Sequence, residues 1–390
     1  MVFIGERCLN LHRITLSLLG LWPYQKPSVL RTVFFFGIFF ASLVFQLTVF
    51  ITTKYDTEFI ITELTRFCPF VIYFLNYNCF YFNSKSIKQL LEHIKLDWKI
   101  MEDSEMKIIK KYSYIGYFFS FSVNILLTLV MLIFTIIEFI PIILDAIAPL
   151  NESRPHRFKV SYELFIDEEE YYFLYLIVEV VTVTIGIYST VMTGTFLLTI
   201  GGHFCATFKI ASNLIKETVT ENMIQMPAPY KIYFMYRNIC RAVHIHRRTV
   251  QIISNMSNSL TIWYLPLLLF GVISSSCIIF RFLNAIRRLN DLSELFVSFS
   301  LFMAHFIYMF IANLGGQVIT DHSSEMLKSV YNTLWYVAPL SIQKLILFLL
   351  TSVKDYKLLV GGIFVPSFEG FSTLITSAIS YFTVIYTMRE

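Results

Sequence analysis

The sequence is poor in charged residues and in cysteine, and both shortages narrow the class of protein. Only 15% of its 390 residues are charged, whereas a soluble domain uses about 25% to cover its surface. Six cysteines in this length do not form the framework of a small disulfide-rich fold. The 56% of hydrophobic residues and the mean hydropathy of +0.63 exclude a disordered or collagen-like chain. The net charge is only +4, without a dense basic patch, so we expect an integral membrane protein that binds no nucleic acid.

Seven segments predict membrane-spanning helices, because a span needs roughly 20 mostly apolar residues. The predicted spans are Val33–Ile51, Phe59–Phe82, Tyr112–Leu144, Tyr171–Ile200, Ile252–Phe280, Leu295–Thr320 and Leu358–Met388. An eighth apolar stretch, Leu345–Val353, is too short to cross and predicts a buried or interfacial helix. The first 30 residues contain Arg7, Arg13 and Lys26 but no long apolar run, so we expect no cleavable signal peptide.

The distribution of lysine and arginine predicts the orientation. Alternate connections, beginning with the N-terminal segment, contain 22 of the 31 Lys and Arg residues, and the other connections contain 8. Positively charged connections stay in the cytoplasm. We therefore predict a cytoplasmic N-terminus and, after seven crossings, an extracellular C-terminus. G-protein-coupled receptors have the opposite orientation, and the Asn-Pro of their Asn-Pro-x-x-Tyr signature does not occur in this sequence.

Two features near the predicted outer surface concern covalent modification. Asn151-Glu152-Ser153 is a glycosylation acceptor pattern in the acidic connection 145–170, which we predict to be external. The similar pattern at Asn255 lies on the predicted cytoplasmic side, where we expect no modification. Cys68 and Cys277 lie near the outer ends of their spans, so they are either a disulfide pair or small buried apolar residues.

Motifs of enzyme sites are missing, so we expect neither enzymatic activity nor a cofactor. The sequence has no Gly-rich phosphate loop, no His-Glu-x-x-His and no Gly-x-Ser-x-Gly. In the run 244–248, two histidines stand two residues apart and point to different sides of a helix, which favours a solvated basic face over a metal site. His203 and His305 are single histidines, which are more often core or interface groups than ligands.

Charged residues inside predicted spans are costly and tend to face protein or water. Glu63 and Arg66 are three residues apart and can pair on one helix face. They form either a structural ion pair near the outer surface or part of a water-filled vestibule. Glu138 and Glu179 lie in the outer halves of their spans, where they either line a polar cavity or snorkel to the outer interface.

The last predicted span carries a stripe of hydroxyl groups with helical spacing. The stripe consists of Thr373, Thr376, Ser380, Thr383 and Thr387. Such a stripe suits the wall of a weakly selective pore, although each hydroxyl can instead bond to its own helix. Val384 and Met388 flank the stripe, and apolar side chains at a narrow point can close a pore by dewetting.

Aromatic and methionine residues are frequent in the outer halves of the second, third, fourth and sixth spans. A small-molecule site between helices is concave, apolar and sparsely polar. The alternative for these residues is ordinary packing or lipid contact. The candidate pocket residues are Phe67, Phe70, Val71, Phe74, Thr135, Phe139, Tyr175, Val178, Thr182, Phe299, Met303 and Phe306.

Several stretches, taken together, resemble the insect odorant receptors of ants and related insects. They are Leu16–Gln25, Ala148–Arg157, His203–Ser212, Gly316–Met326, Trp335–Leu345 and Gly361–Met388. The resemblance covers nearly the whole chain. It implies a ligand-gated cation channel that admits monovalent and divalent cations, in a tetramer with a shared odorant co-receptor. The ligand would be a volatile small molecule, and the receptor would lie in the plasma membrane of a sensory dendrite.

The resemblance also implies a division of the chain. The co-receptor has a much longer insertion between its fourth and fifth spans than the connection Gly201–Gln251, so this chain resembles an odour-selective subunit. In that family the seventh helix is split, here into a cytoplasmic anchor piece, Pro339–Ser352, and a pore piece, Pro366–Met388. The gate would fall on Val384, and Met388 departs from the more usual Leu. The implied parts are a cytoplasmic segment 1–32, helices one to six with the pocket in 33–320, a cytoplasmic loop 202–251, an anchor segment 321–357 and the pore segment 358–390.

Three other functions remain open on the sequence. A metabotropic seven-helix receptor would have the opposite orientation. A transporter would show saturable solute flux, and neither an internal repeat nor a matched pair of broken helices favours one. A gustatory-type channel of the same fold would differ in its ligand class.

Overall fold

The computed structural model describes residues 8–26, 28–52, 56–147, 171–220, 223, 225–288, 292–352 and 356–387. Within these ranges the chain forms helices, a 3-10 turn at Trp335–Val337 and one isolated bridge between Val360 and Phe364. The helices are α1 (Asn10–Leu18), α2 (Val29–Thr52), α3 (Thr57–Phe82), α4 (Ser84–Ile100), α5 (Asp103–Ile147), α6 (Tyr172–Thr218), α7 (Ala228–Arg288), α8 (Leu292–Tyr331), α9 (Leu340–Ser352) and α10 (Phe368–Thr387). The prediction of an all-α membrane protein is confirmed.

Six of the described helices, α2, α5, α6, α7, α8 and α10, are long and apolar enough to cross a membrane. The second predicted span corresponds to α3, which has 26 residues but is interrupted by Glu63, Arg66, Asn76 and Asn78. The predicted short apolar helix is α9, with 13 residues, and it is separate from α10. The predicted split of the seventh helix is therefore confirmed.

The longest helices extend well beyond a bilayer. With 61 residues, α7 is about 90 Å long at 1.5 Å per residue, against a hydrocarbon core of about 30 Å. One end of the bundle contains α1, α4, α9 and the lysine- and arginine-rich ends of the long helices, and we call it the basic end. The other end holds the start of α6 and the end of α10, and we call it the opposite end.

The main hydrophobic core lies at the basic end. Leu16, Phe196, Phe208, Ile239 and Ile346 belong to one cluster of buried residues contributed by α1, α6, α7 and α9. Along α5, by contrast, many aliphatic and aromatic side chains are exposed. This division fits a membrane protein, because apolar side chains that face lipid need no burial, whereas those outside the bilayer do.

Helices α6 and α7 occupy the centre of the bundle. α6 packs against α3, α5, α7 and α8, while α7 also packs against α3, α8 and α10. A buried hydrogen bond joins α3 to α6, in which Asn76 Nδ2 donates to Thr193 Oγ1 at 2.6 Å. The polar residues that interrupt α3 therefore serve contacts within the protein.

Gly186 allows the close approach of α3 and α6, and its replacement by alanine is expected to destabilise the protein. A Cβ there would lie 2.2 Å from Cδ2 and 2.8 Å from Cγ of Tyr73, so the ring base would have to shift. Such overpacking costs about 1–3 kcal/mol. Gly194 in the same helix is the matched control, because its added Cβ meets nothing within 4 Å. We expect a lower melting temperature in detergent for Gly186→Ala but not for Gly194→Ala, and equal values would contradict this packing.

The connector 356–367 that leads into α10 is fastened to α7 and α8. Its turn has positive φ at Gly361 and Gly362, 65° and 72°, a conformation that favours glycine. The Gly361 N–H donates to Thr261 Oγ1 at 3.2 Å, and the Phe368 N–H donates to Gln317 Oε1 at 3.3 Å. The connector is thus held to α7, and the first residue of α10 is held to α8.

Candidate ligand pocket and pore helix

An apolar cluster joins α2, α3 and α6 toward the opposite end. Phe70 is 3% exposed and Tyr175 is 1% exposed, and Tyr73 and Val178 pack against them. Thr182 is also buried, one turn from Val178, to whose carbonyl oxygen its hydroxyl donates at 2.7 Å. The structure thus brings four of the predicted pocket residues onto the facing sides of α3 and α6.

Five other predicted pocket residues, on α3 and α5, are half-buried. On α3 these are Phe67, Val71 and Phe74, and the Phe74 ring lies edge-on to Phe36 of α2 at 6.4 Å. On α5 they are Thr135 and Phe139, and the Thr135 hydroxyl donates to the Met131 carbonyl at 2.8 Å.

The predicted pocket residues of α8 belong to a chain of aromatic rings that points toward α10. The Phe299 ring lies 5.8 Å from Phe282 of α7, and the Phe306 ring lies 5.2 Å from Phe371 of α10. Met303, which lies between these two residues in sequence, is half-buried. Phe282 and Phe371 were not predicted, because only the packing of separate helices brings these rings together.

The two carboxylates in the outer halves of α5 and α6 are buried. Glu138 is 6% exposed and Glu179 is 0% exposed. The interpretation that these side chains snorkel to an interface is therefore wrong, because a snorkelling side chain keeps its carboxylate group in water. Both side chains lie in the protein interior.

Two ion pairs lie near the opposite end, one within α3 and one between α7 and α8. The predicted pair is confirmed, with Arg66 Nη1 donating to Glu63 Oε1 at 2.6 Å. A second, bidentate pair joins α7 to α8, in which Arg281 Nε and Nη2 lie 2.7 Å and 3.1 Å from the Glu294 oxygens. Cys277 is buried nearby in a cluster with Phe382 and Tyr386 of α10. Cys68 and Cys277 are both free thiols, so the buried-residue interpretation is the one observed.

The hydroxyl stripe of α10 lies on its exposed face. Leu374 and Ala378 are buried on the other face, where the Ser276 hydroxyl of α7 donates to the Ala378 carbonyl at 3.0 Å. All five residues of the stripe are exposed, namely Thr373, Thr376, Ser380, Thr383 and Thr387. Four of these hydroxyls donate to carbonyl oxygens of their own helix, at 2.7–3.0 Å. A hydroxyl bonded in this way still accepts hydrogen bonds from water, so the two interpretations of the stripe are compatible.

Val384 is 55% exposed on the same side of α10. Met388 and the glycosylation candidate Asn151 lie outside the described residues. Their roles stay predictions.

Buried and half-buried histidines serve packing and hydrogen bonding. His203 Nε2 lies 3.1 Å from Asp97 Oδ2, and His305 Nε2 lies 3.2 Å from the Gly271 carbonyl oxygen. The prediction of a solvated face is wrong for His246, which is buried, with its Nε2 3.2 Å from Ser323 Oγ. It is correct for His244, which is exposed. Within the described ranges no group of His, Cys, Asp and Glu residues is arranged to hold a metal ion.

His12 of α1 lies in a polar contact between α1, α5 and α6. It is fully buried, and its Nε2 lies 3.1 Å from Ser120 Oγ and 3.2 Å from Thr199 Oγ1. Burial lowers the pKa of His12 to about 4, because a charged ring would lose its hydration. The ring is therefore neutral at pH 7 and ties α1 to α5 and α6.

This burial predicts acid sensitivity. The folded state disfavours a proton that the unfolded chain accepts near pH 6.5, so stability is full above that pH and falls as the pH drops toward about 4. The loss amounts to about 3 kcal/mol at about 1.4 kcal/mol per pKa unit. We expect the melting temperature to fall less between pH 7.5 and pH 4.5 in His12→Gln than in the parent protein. An equal fall in both proteins would show that another group is responsible.

Two solved structures share this architecture. The insect olfactory receptor OR5 from Machilis hrabei in complex with eugenol superimposes with a TM-score of 0.76 and 14% sequence identity, over 98% of each chain. The structure described as that receptor alone gives a TM-score of 0.75 and 14% identity, over 97% of each chain. At this identity the likeness establishes the fold.

No curated protein matches the sequence. A family model described as "7tm Odorant receptor" matches residues 56–379, from the start of α3 to most of α10. This match covers more than four fifths of the chain, and the family is one of receptors and not of enzymes. The chain therefore belongs to the 7tm odorant receptor family.

Proposed function

We propose that this receptor is the odour-selective subunit of an odorant-gated, non-selective cation channel in the plasma membrane. The observation that carries the proposal is the position of the hydroxyl stripe on the exposed face of α10, opposite the face that packs on α7. An uncharged polar face on an apolar helix suits contact with a water-filled path. Because one helix cannot enclose a path, several subunits must contribute, and we propose a tetramer with the odorant co-receptor.

The orientation proposed is the one that the lysine and arginine distribution predicts. The basic end, with α1, α4 and α9, then faces the cytoplasm, and residues 321–357 form the anchor segment there. The end of α10 and the connection with Asn151 then face outward, where Asn151 is available for glycosylation. The pore hydroxyls carry no charge, so we expect monovalent and divalent cations to pass with little discrimination.

The proposed odorant site is the apolar region that Phe70, Tyr175, Val178 and Thr182 border. Apolar and aromatic walls with a few hydroxyls suit a small volatile molecule. The structural relative from Machilis hrabei was solved with eugenol, which is a molecule of that kind. We include the half-buried residues of α3 and α5 and the ring chain of α8 in the proposed pocket region.

The proposed gating mechanism follows the helix contacts. A ligand that binds the open arrangement more tightly shifts the closed–open equilibrium toward it. A displacement of α8 reaches α10 through the Phe306–Phe371 ring contact and through the Phe368 N–H bond to Gln317. Movement of α10 then withdraws Val384 from the pore axis, and the constriction fills with water.

Whole-cell recording with an odorant panel, in cells that express the chain with and without the co-receptor, tests this function. We expect odorant-evoked cation current that requires the chain and, in full size, the co-receptor. Saturable solute flux without current would show a transporter instead. A C-terminal tag that antibodies reach only after permeabilisation would overturn the proposed orientation and favour a metabotropic receptor.

A further inference from the structure

A cavity lies at the basic end, far from the proposed odorant site. It has a volume of about 390 Å³ and is lined by α1 and the turn after it, by α4, and by residues of α5 and α6. Its wall on α6 includes Thr199 and His203, whereas Tyr175 lies 24 residues before Thr199, or about 36 Å along the helix. The cavity is large enough for a small organic molecule. None of its residues takes part in the proposed pore or odorant pocket.

The lining of the cavity carries positive charge. Arg13 and Lys95 belong to it, and no acidic side chain is among the described residues that line it. The nearest carboxylates are already engaged. Glu92 accepts a hydrogen bond from Tyr24 at 2.5 Å and lies 4.0 Å from Lys95. Asp97 contacts His203 of α6 and forms an ion pair with Arg248 of α7. The cavity therefore favours an anion.

Two buried polar atoms on the lining residues lack hydrogen-bond partners in the part of the chain that the structure describes. They are Nδ1 of His203, a residue that is 4% exposed, and Oε1 of Gln25. His203 Nε2 lies 3.1 Å from the Asp97 carboxylate, so Nδ1 is the ring nitrogen left for a ligand. Gln25 Oε1 requires a donor and His203 Nδ1 requires a hydrogen-bond partner, and a buried polar atom without a partner is costly. A ligand for this cavity must carry hydroxyl groups as well as negative charge.

Three aromatic side chains complete the wall. Trp22, Tyr24 and Trp98 line the cavity together with the apolar Leu91 and Ile94. Aromatic faces pack well against the C–H faces of a polyol ring. The combination of two cations, two unpartnered polar atoms and three aromatic rings is more specific than a basic surface.

We propose that this cavity binds a phosphorylated polyol. The phosphate pairs with Arg13 and Lys95, and the polyol ring stacks on Trp22 and Trp98. One ring hydroxyl donates to Gln25 Oε1, and another forms a hydrogen bond with His203 Nδ1. The same chemistry occurs in an inositol phospholipid headgroup and in a soluble inositol phosphate. An occupant would join α1 and α4 to α6, the helix that also borders the proposed odorant site.

The test measures binding to the purified full-length chain. One arm uses soluble inositol trisphosphate, and the other uses detergent micelles with phosphatidylinositol phosphate, with phosphatidylcholine and unphosphorylated inositol as blanks. Native mass spectrometry reports occupancy. A change in tryptophan emission reports that the ligand binds beside the indole rings, because two of the four tryptophans line the cavity.

The Arg13→Ala/Lys95→Ala variant is expected to bind at least about tenfold more weakly, because two charge-assisted bonds are lost. Lys85→Ala/Lys107→Ala removes the same charge outside the cavity and is expected to bind like the parent chain. Gln25→Leu is expected to weaken binding of the phosphorylated polyol but not of inorganic phosphate. Binding in the lipid arm alone assigns a membrane lipid, and binding in the soluble arm assigns a free metabolite.

Three results would overturn the proposal. They are no binding in either arm, equal weakening by the cavity and control variants, and equal affinity for inositol and its phosphates. Melting temperatures of all variants are compared first, and Gln25→Leu provides the test if Arg13→Ala/Lys95→Ala does not fold. None of these measurements depends on channel activity, so failure here leaves the proposed function untouched.

Discussion

Cells that express Val384→Thr with the co-receptor are expected to carry cation current before any odorant is added. Val384 is exposed on the hydroxyl-bearing side of α10, and an apolar constriction closes by excluding water. A hydroxyl there favours the wetted state, and a shift of about 1.4 kcal/mol multiplies the open-to-closed ratio about tenfold. The measurement is basal whole-cell current divided by the maximal odorant-evoked current.

Ile385→Thr is the matched control for this experiment. Ile385 is the next residue, has a similar volume and packs against the cluster of Ile61, Cys277 and Phe280. We expect it to reduce surface expression through lost packing but not to raise the ratio of basal to evoked current. If Ile385→Thr raises this ratio as much as Val384→Thr, or if neither variant raises it, Val384 is not the gate.

The Asp97→Asn variant is expected to lose on the order of 3 kcal/mol of folding stability. Asp97 of α4 is 6% exposed and holds two partners, His203 of α6 at 3.1 Å and Arg248 of α7 at 2.8 Å. An amide keeps the volume but leaves the Arg248 guanidinium without its counter-ion. Because that side chain is 27% exposed, solvent screening places the loss at the lower end for a broken buried pair.

The free energy of unfolding of this variant is compared with that of Asp321→Asn. Asp321 is exposed and accepts a hydrogen bond from Gln317 at 2.8 Å. Asp321→Asn is therefore expected to change the free energy of unfolding by no more than about 0.5 kcal/mol. Thermal unfolding in detergent, followed by tryptophan emission, measures both. Equal stability of the two variants would show that the junction of α4, α6 and α7 does not depend on this carboxylate.

The sequence alone predicted the helices and the class of the protein, because apolar runs of membrane length are a local property. It also predicted the Glu63–Arg66 pair, since residues three apart on a helix are neighbours. It predicted one face for the five hydroxyls of α10, because a spacing of three and four residues follows the helical repeat. The second predicted span is less apolar than the others, since Asn76 and Asn78 bond within the protein.

Contacts between helices distant in sequence were decided only by the tertiary structure. The Phe306–Phe371 ring contact, the His203–Asp97 pair and the burial of His246 depend on how helices are rotated and spaced. The cavity at the basic end has the same origin, because its walls come from four helices and a turn. Helical periodicity gives each residue's angle around its own axis, but which neighbour that angle meets is set by the packing of all the helices together.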